Sequence, residues 1–275
     1  MKNDRIHISL LTAKSPVLLD IIIVLQYNKF GLRCRKAAFR TLFYILGGIL
    51  MQYEIIGQTV PAVECTMQRG ESMYTQSGGM IWQTEGIKMT SNARGGLAKS
   101  LGRLFSGESL FMANYTAETD NVRIAFGSTV PGTVVPVNVG EGEMICQKGA
   151  FLCAEQSVQL DITLTKKFTS GLFGGEGFIL QKLSGYGMAF LEVDGDMVTY
   201  DLRPGEVLKV DTGNIVAFSS QVQYEIETIK GIGNIFLGGE GLFLTRVTGP
   251  GRVILQTQNF NDFAGRIIAR IPSRG

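Results

Sequence analysis

GEGFILQKLSGYGMAFLEVDG, residues 175–195, has two counterparts in the same chain: GESLFMANYTAETDNVRIAFG at 107–127 and GEGLFLTRVTGPGRVILQTQN at 239–259. Their glutamates, Glu108, Glu176 and Glu240, stand 68 and 64 residues apart. Gly187 and Gly251 hold a matching turn position after the first apolar run, and Asn121 takes it in the first copy. After Gly, Asn is the residue that best tolerates a positive φ, so one backbone shape fits all three turns.

A second signature is interleaved with the first and comes in the same order. It reads RGESMYTQSGGMIWQ at 69–83, EGEMICQKGAFLCAE at 141–155 and PGEVLKVDTGNIVAFS at 204–219. Its glutamates, Glu71, Glu143 and Glu206, are 72 and 63 residues apart. Two motifs that recur at one interval predict an internally triplicated chain. The apolar runs alternate in period two, as in EVLKVD, where Val207 and Lys209 face one way and Leu208 and Val210 the other, so the class is all-β. Helical periodicity is scarce; its best candidate is NARGGLAKSLGRLF, residues 92–105.

Units of this size cannot each bury a face alone. The expected architecture is a pseudo-threefold β-prism or barrel related to the double-stranded β-helix. Its repeats would run at about 51–127, 128–195 and 196–270 within a single domain, 51–275. Each motif would pair a Gly-Glu corner with a hairpin. Thirty-five glycines against seven prolines fit many turns and no Pro-rich linker.

Residues 1–50 stand apart. They carry eight Lys/Arg and two Asp/Glu, while the remaining chain carries 18 and 22. The run VLLDIIIVL is nine residues with Asp20 inside, far short of the roughly 20 that span a bilayer. No small-residue cleavage pattern follows it, so a secretory signal is not expected and the location predicted is cytoplasmic, at most peripheral to a membrane. Gly47 and Gly48 can be encoded by a ribosome-binding sequence at about the right distance before Met51. Residues 1–50 are therefore read as translated leader outside the fold, with a membrane-surface helix as the other reading.

The chemistry that is missing limits function more sharply. His7 is the only histidine and lies in that leader. From Met51 onward Ser-His-Asp and Cys-His catalysis, His acid-base work and the usual zinc and haem ligation lack their central residue. Cys65, Cys146 and Cys153 lack CxxC spacing, and their apolar neighbours suit core thiols better than redox or metal sites. Cys146 and Cys153 flank the Gly149 turn and could face each other in a hairpin. No GxxxxGK[ST] loop or dinucleotide fingerprint is present. The mildly acidic body argues against a nucleic-acid partner, because phosphate neutralisation supplies most nonspecific affinity. The expectation is no enzyme and no cofactor.

KKFTSGLFGGEGFILQKLSGYGMAFLEVDG, VDTGNIVAF and GGEGLFLTRVTGPGRVILQTQ resemble the bacterial branch of the altered-inheritance-of-mitochondria family, formerly a domain of unknown function. The likeness runs from about Met51 to about Arg270. It implies a β-helix-like or prism fold grouped with the tryptophan RNA-binding attenuator proteins, without implying RNA or tryptophan binding. Eukaryotic relatives are mitochondrial and associated with inner-membrane organisation, and no activity follows for bacterial members.

The functional expectation is a non-catalytic binding or scaffolding protein. Its partner would be a protein or further copies of itself, with a membrane surface as another docking place. The candidate interaction turns are Gly107 and Glu108; Gly174, Gly175 and Glu176; and Gly238, Gly239 and Glu240; Phe173 and Phe178 flank the second. Phe178 and the other recurring aromatics read either as core anchors or as an exposed patch. The glutamates read either as carboxylates held by their own turns or as a small-ligand or cation site built from oxygen donors.

Overall fold

The computed structural model describes residues 51–76, 78–93, 111–166, 178–229, 242–268 and 270–271. The chain divides between Ile49 and Leu50 into two units, and every element below belongs to the second. The first third supplies β1 (Gln52–Ile56), β2 (Ala62–Met67), β3 (Ser72–Gln76), β4 (Met80–Gln83), β5 (Ile87–Ala93), β6 (Phe111–Ala117) and β7 (Val122–Gly127). The second supplies β8 (Gly132–Asn138), β9 (Met144–Gln147), β10 (Phe151–Glu155), β11 (Val158–Lys166), β12 (Phe178–Gly185) and β13 (Met188–Asp194). The last supplies β14 (Met197–Leu202), β15 (Val207–Asp211), β16 (Ile215–Ser219), β17 (Gln223–Ile229), β18 (Leu242–Thr248) and β19 (Gly251–Gln256), and a helix, α1 (Phe260–Ile268), follows.

The strands form four antiparallel sheets. Their orders are β1-β2-β7-β4, β5-β6-β3-β10-β13-β8, β11-β12-β9-β16-β19-β14 and β15-β18-β17. The pairings recur every six strands. Ladder β2·β7·β4 reappears as β8·β13·β10 and β14·β19·β16, and ladder β5·β6·β3 as β11·β12·β9 and β17·β18·β15. Two seams, β3·β10 and β9·β16, splice a ladder of one third onto a ladder of the next.

A β-bulge marks the same place in each third: between Met80 and Trp82, Phe151 and Cys153, and Ile215 and Ala217. A bulge sets two consecutive residues against one on the neighbouring strand. Leu152 and Cys153 accordingly share one core while Phe151 and Ala154 enter the next. Val216 and Ala217 share the middle core while Ile215 and Phe218 enter the last. A strand buried on both faces reads as a nearly unbroken apolar run, and FLCAE and IVAFS are such runs.

Three cores separate the four sheets in series. The first core holds Val63, Met67, Phe126 and Phe190, between sheets one and two. The second holds Tyr74, Phe151, Leu183 and Ile254, between sheets two and three. The third holds Phe178, Leu180, Phe218 and Val247, between sheets three and four.

This order corrects two expectations. Among the described strands the sheets do not close into a barrel, because sheet one ends at β4 and sheet four at β15. The runs around Asn121, Gly187 and Gly251 are also not hairpins: β6 and β7, β12 and β13, and β18 and β19 lie in different sheets. The turn is a corner that carries the chain from one sheet to the preceding one. The expected positive φ is present at each, 59° at Asn121, 104° at Gly187 and 146° at Gly251, but the three angles differ. Among the described residues the α-helix is α1; Asn92 and Ala93 belong to β5, and 94–105 lies outside the described residues.

Candidate functional site

Most of the sequence-selected positions cannot be placed. Gly107, Glu108, Phe173, Gly174, Gly175, Glu176, Gly238, Gly239 and Glu240 lie outside the described residues. Phe178 is described, and it is 1% exposed in the third core, which makes it an anchor of that core and removes it from any surface patch.

The other set of glutamates shows how such corners are held. Glu71 accepts the Gln68 backbone N–H at 2.8 Å, and Glu206 accepts that of Arg203 at the same distance. Gly70 and Gly205 sit just before them at φ of 90° and 78°, a region that L side chains resist. Glu143 instead pairs with Lys182 at 2.9 Å. Glu71 and Glu206 thus build turns, and Glu143 ties its segment to β12.

Other carboxylates tie neighbouring segments together. Glu192 accepts from Thr129 N–H at 2.9 Å, and from the hydroxyls of Ser128 and Thr129 at 3.1 Å. Glu155 accepts from the Met188 N–H, and Asp194 from the Phe260 N–H at the start of α1. Burial pushes all three above the ordinary carboxylate range, and those hydrogen bonds pull part of the way back. No group of three or more His, Cys, Asp or Glu able to hold a metal ion occurs among the described residues.

Cys65, Cys146 and Cys153 are buried free thiols. Burial raises the Cys65 and Cys146 thiols to about 12 and Cys153 well above its usual 9.0, so none is a ready nucleophile. Cys146 and Cys153 do not face each other: β9 pairs within the third sheet and β10 within the second.

Several large apolar side chains are exposed, among them Tyr186 at the β12–β13 corner, Met89 of β5 and a group on β4. On β4, Ile81 is 47% and Trp82 45% exposed, whereas Leu152 (3%), Cys153, Val216 and Ala217 (each 0%) hold the same places in the pattern. The Trp82 indole donates to Glu64 at 3.0 Å, and Arg123 pairs with the same carboxylate at 3.3 Å. A groove of about 320 Å³ runs beside them, lined by Ile56, Val60, Pro61, Ile81 and Trp82 among others. Val207 of β15 in the fourth sheet is exposed, as are Met197, Val198 and Tyr200 of β14, the edge strand of the third.

The helix α1 adds a second exposed apolar face. Phe260, Phe263, Ile267 and Ile268 repeat at helical spacing, Ile271 continues the series, and all five are exposed. Asn259 starts the helix by accepting the Asn261 N–H at 3.0 Å. Arg266 and Arg270 supply positive charge beside that face. The i, i+3, i+7, i+8 spacing after an Asn was the sequence signal for it. No helix among the described residues is long and apolar enough to cross a membrane.

Stacked antiparallel sheets, with a single α-helix among the described residues, define an all-β protein. Residues 53–258 match the mitochondrial biogenesis AIM24 family, and the chain belongs to that family. It is 29% identical over 221 residues to an uncharacterized protein of Streptococcus pyogenes serotype M6, covering 78% of this chain and 88% of that protein. A crystal structure of a Streptococcus pyogenes protein superposes with a TM-score of 0.66 at 26% identity, covering 80% of this chain and all of the other.

Proposed function

We propose that this is a non-catalytic scaffolding protein of the cytoplasm that works by self-association, and that its three sets of strand pairings are three copies of one unit in a prism-like design. One observation carries the proposal: Ile81 and Trp82 stand in water where their counterparts in the other two thirds are buried. Large apolar side chains gathered on a sheet edge mark a contact surface, because burying them stabilises by about 1.5–3 kcal/mol each. The missing histidine from Met51 onward supports a role without catalysis. Native mass spectrometry of the 275-residue chain is the test. The expected result is a particle whose mass is a fixed multiple of the chain; a monomer at every concentration overturns the proposal.

Helix α1 favours a second role, docking of the assembly on an anionic membrane surface. Its exposed phenylalanines and isoleucines suit the acyl boundary and its arginines the headgroups. Cosedimentation with phosphatidylserine-containing vesicles is expected to fall at least tenfold in a Phe263→Glu variant. Equal sedimentation of the two proteins, or none by either, removes this role.

A further inference from the structure

We infer that β4 of one copy pairs with β15 of a second copy, so that contact between chains rebuilds the seam that already joins the thirds within a chain. The inference rests on the self-association reading and names its edges.

The topology supplies complementary ends. Inside the chain, each six-stranded sheet joins a ladder ending in β3 or β9 to a ladder ending in β10 or β16. Among the described strands two ladders are left without such a partner: β17·β18·β15, which ends in a strand of the first kind, and β2·β7·β4, which ends in one of the second. Unpaired edges are ordinarily blunted by charge or proline. The β4 strand, MIWQ, has neither.

The register follows from the internal seams. Tyr74, Ile145 and Lys209 hold one place, since they oppose Asn114, Lys182 and Arg246 across equivalent ladders. Cys153, Ala217 and Trp82 hold another, directly after the bulge. Both internal seams agree: Cys153 opposes Thr75 and Ala154 opposes Tyr74, just as Ala217 opposes Cys146 and Phe218 opposes Ile145. The same rule sets Trp82 opposite Val210, Gln83 opposite Lys209 and Thr84 opposite Leu208 across two chains.

Side chains on that register suit their new places. Residues directly opposite in an antiparallel pair share a face. Val210 already belongs to the third core, so Trp82 would extend it, and the bulge would bring Ile81 to the same side. Gln83 and Lys209, both exposed, would meet on the other face as polar neighbours. Within one chain β4 and β15 lie in different sheets and do not pair, so the seam is assigned to two copies. The contact joins two different edges, so it is heterologous and propagates head to tail, as a ring if the rotation closes and as a filament otherwise.

Disulfide trapping tests the edges directly. With Cys34, the remaining cysteine of the chain, replaced (Cys34→Ser), Gln83→Cys protein mixed with Lys209→Cys protein is expected to give a covalent dimer on mild oxidation, while neither gives one alone. The double variant Gln83→Cys/Lys209→Cys should give a covalent ladder of copies. An assembled protein in which Gln83→Cys links to itself, or in which no pair links, overturns the edge assignment and leaves self-association standing. A double variant that closes into a covalent monomer overturns the pairing between copies. A wild-type chain that is monomeric by mass overturns both readings together.

Discussion

Replacing Phe178 by alanine is expected to destabilise the fold by about 3–5 kcal/mol, the usual cost of removing a buried aromatic ring. Phe178 opens β12, pairs with Lys166 across β11·β12, and is 1% exposed among Leu180, Phe218 and Val247. Truncation leaves a ring-sized void between the third and fourth sheets, which the dense neighbours cannot fill without leaving their rotamers. Denaturant titration followed by far-UV circular dichroism checks this. A loss below about 1 kcal/mol would place the ring outside the core. The experiment also separates the two readings that the recurring aromatics allowed: a surface ring would change binding and leave the midpoint alone.

Gly132→Ala is expected to cost at least about 1–3 kcal/mol, because a Cβ there has nowhere to go. It would lie 1.9 Å from the Val193 carbonyl oxygen and 3.1 Å from the Gly195 nitrogen, both backbone atoms that cannot rotate aside. Gly132 opposes Asp194 at the end of β8·β13, and its own N–H donates to Thr59 at 2.8 Å. Any shift therefore disturbs a ladder of the second sheet and the loop between β1 and β2 at once. Gly142→Ala provides the matched control, since no atom lies within 4 Å of a Cβ at that position. Thermal melts of the two variants should differ clearly; equal melting temperatures would mean that the β8–β13 end yields freely.

The turns were legible in the sequence because their conformations restrict residue type. Asn121, Gly187 and Gly251 all take a positive φ at the corner, and Glu71 and Glu206 hold one kind of Gly-Glu bend. Strand faces were legible where one side meets water, as in β15, with Val207 and Lys209 exposed and Val210 buried. Partner choice was not. Period-two alternation states which residues share a face but is silent on which sheet a strand joins, so corners passed for hairpins and Cys146 and Cys153 for neighbours. In β10 and β16 even the alternation is erased, because both faces are buried and the bulge doubles one of them. The apolar edge of β4 was hidden for the same reason: MIWQ reads like its buried counterparts, and only the position of its third at the start of the series leaves it bare.

The seams β3·β10 and β9·β16 bear on how such a chain could have grown and how it can be cut. In a solenoid of self-contained repeats, a repeat can be added or removed with its own sheet intact. Here every boundary between thirds runs through the middle of a six-stranded sheet. Excising the second third would take away β9 and β10 together and strip β3 and β16 of their seam partners. The remaining edges, β3 and β16, are nevertheless of the two complementary kinds, so they could meet and heal the gap. The seam thus ties each third to its neighbours, and a cut that removes one third exposes two edges of complementary kind.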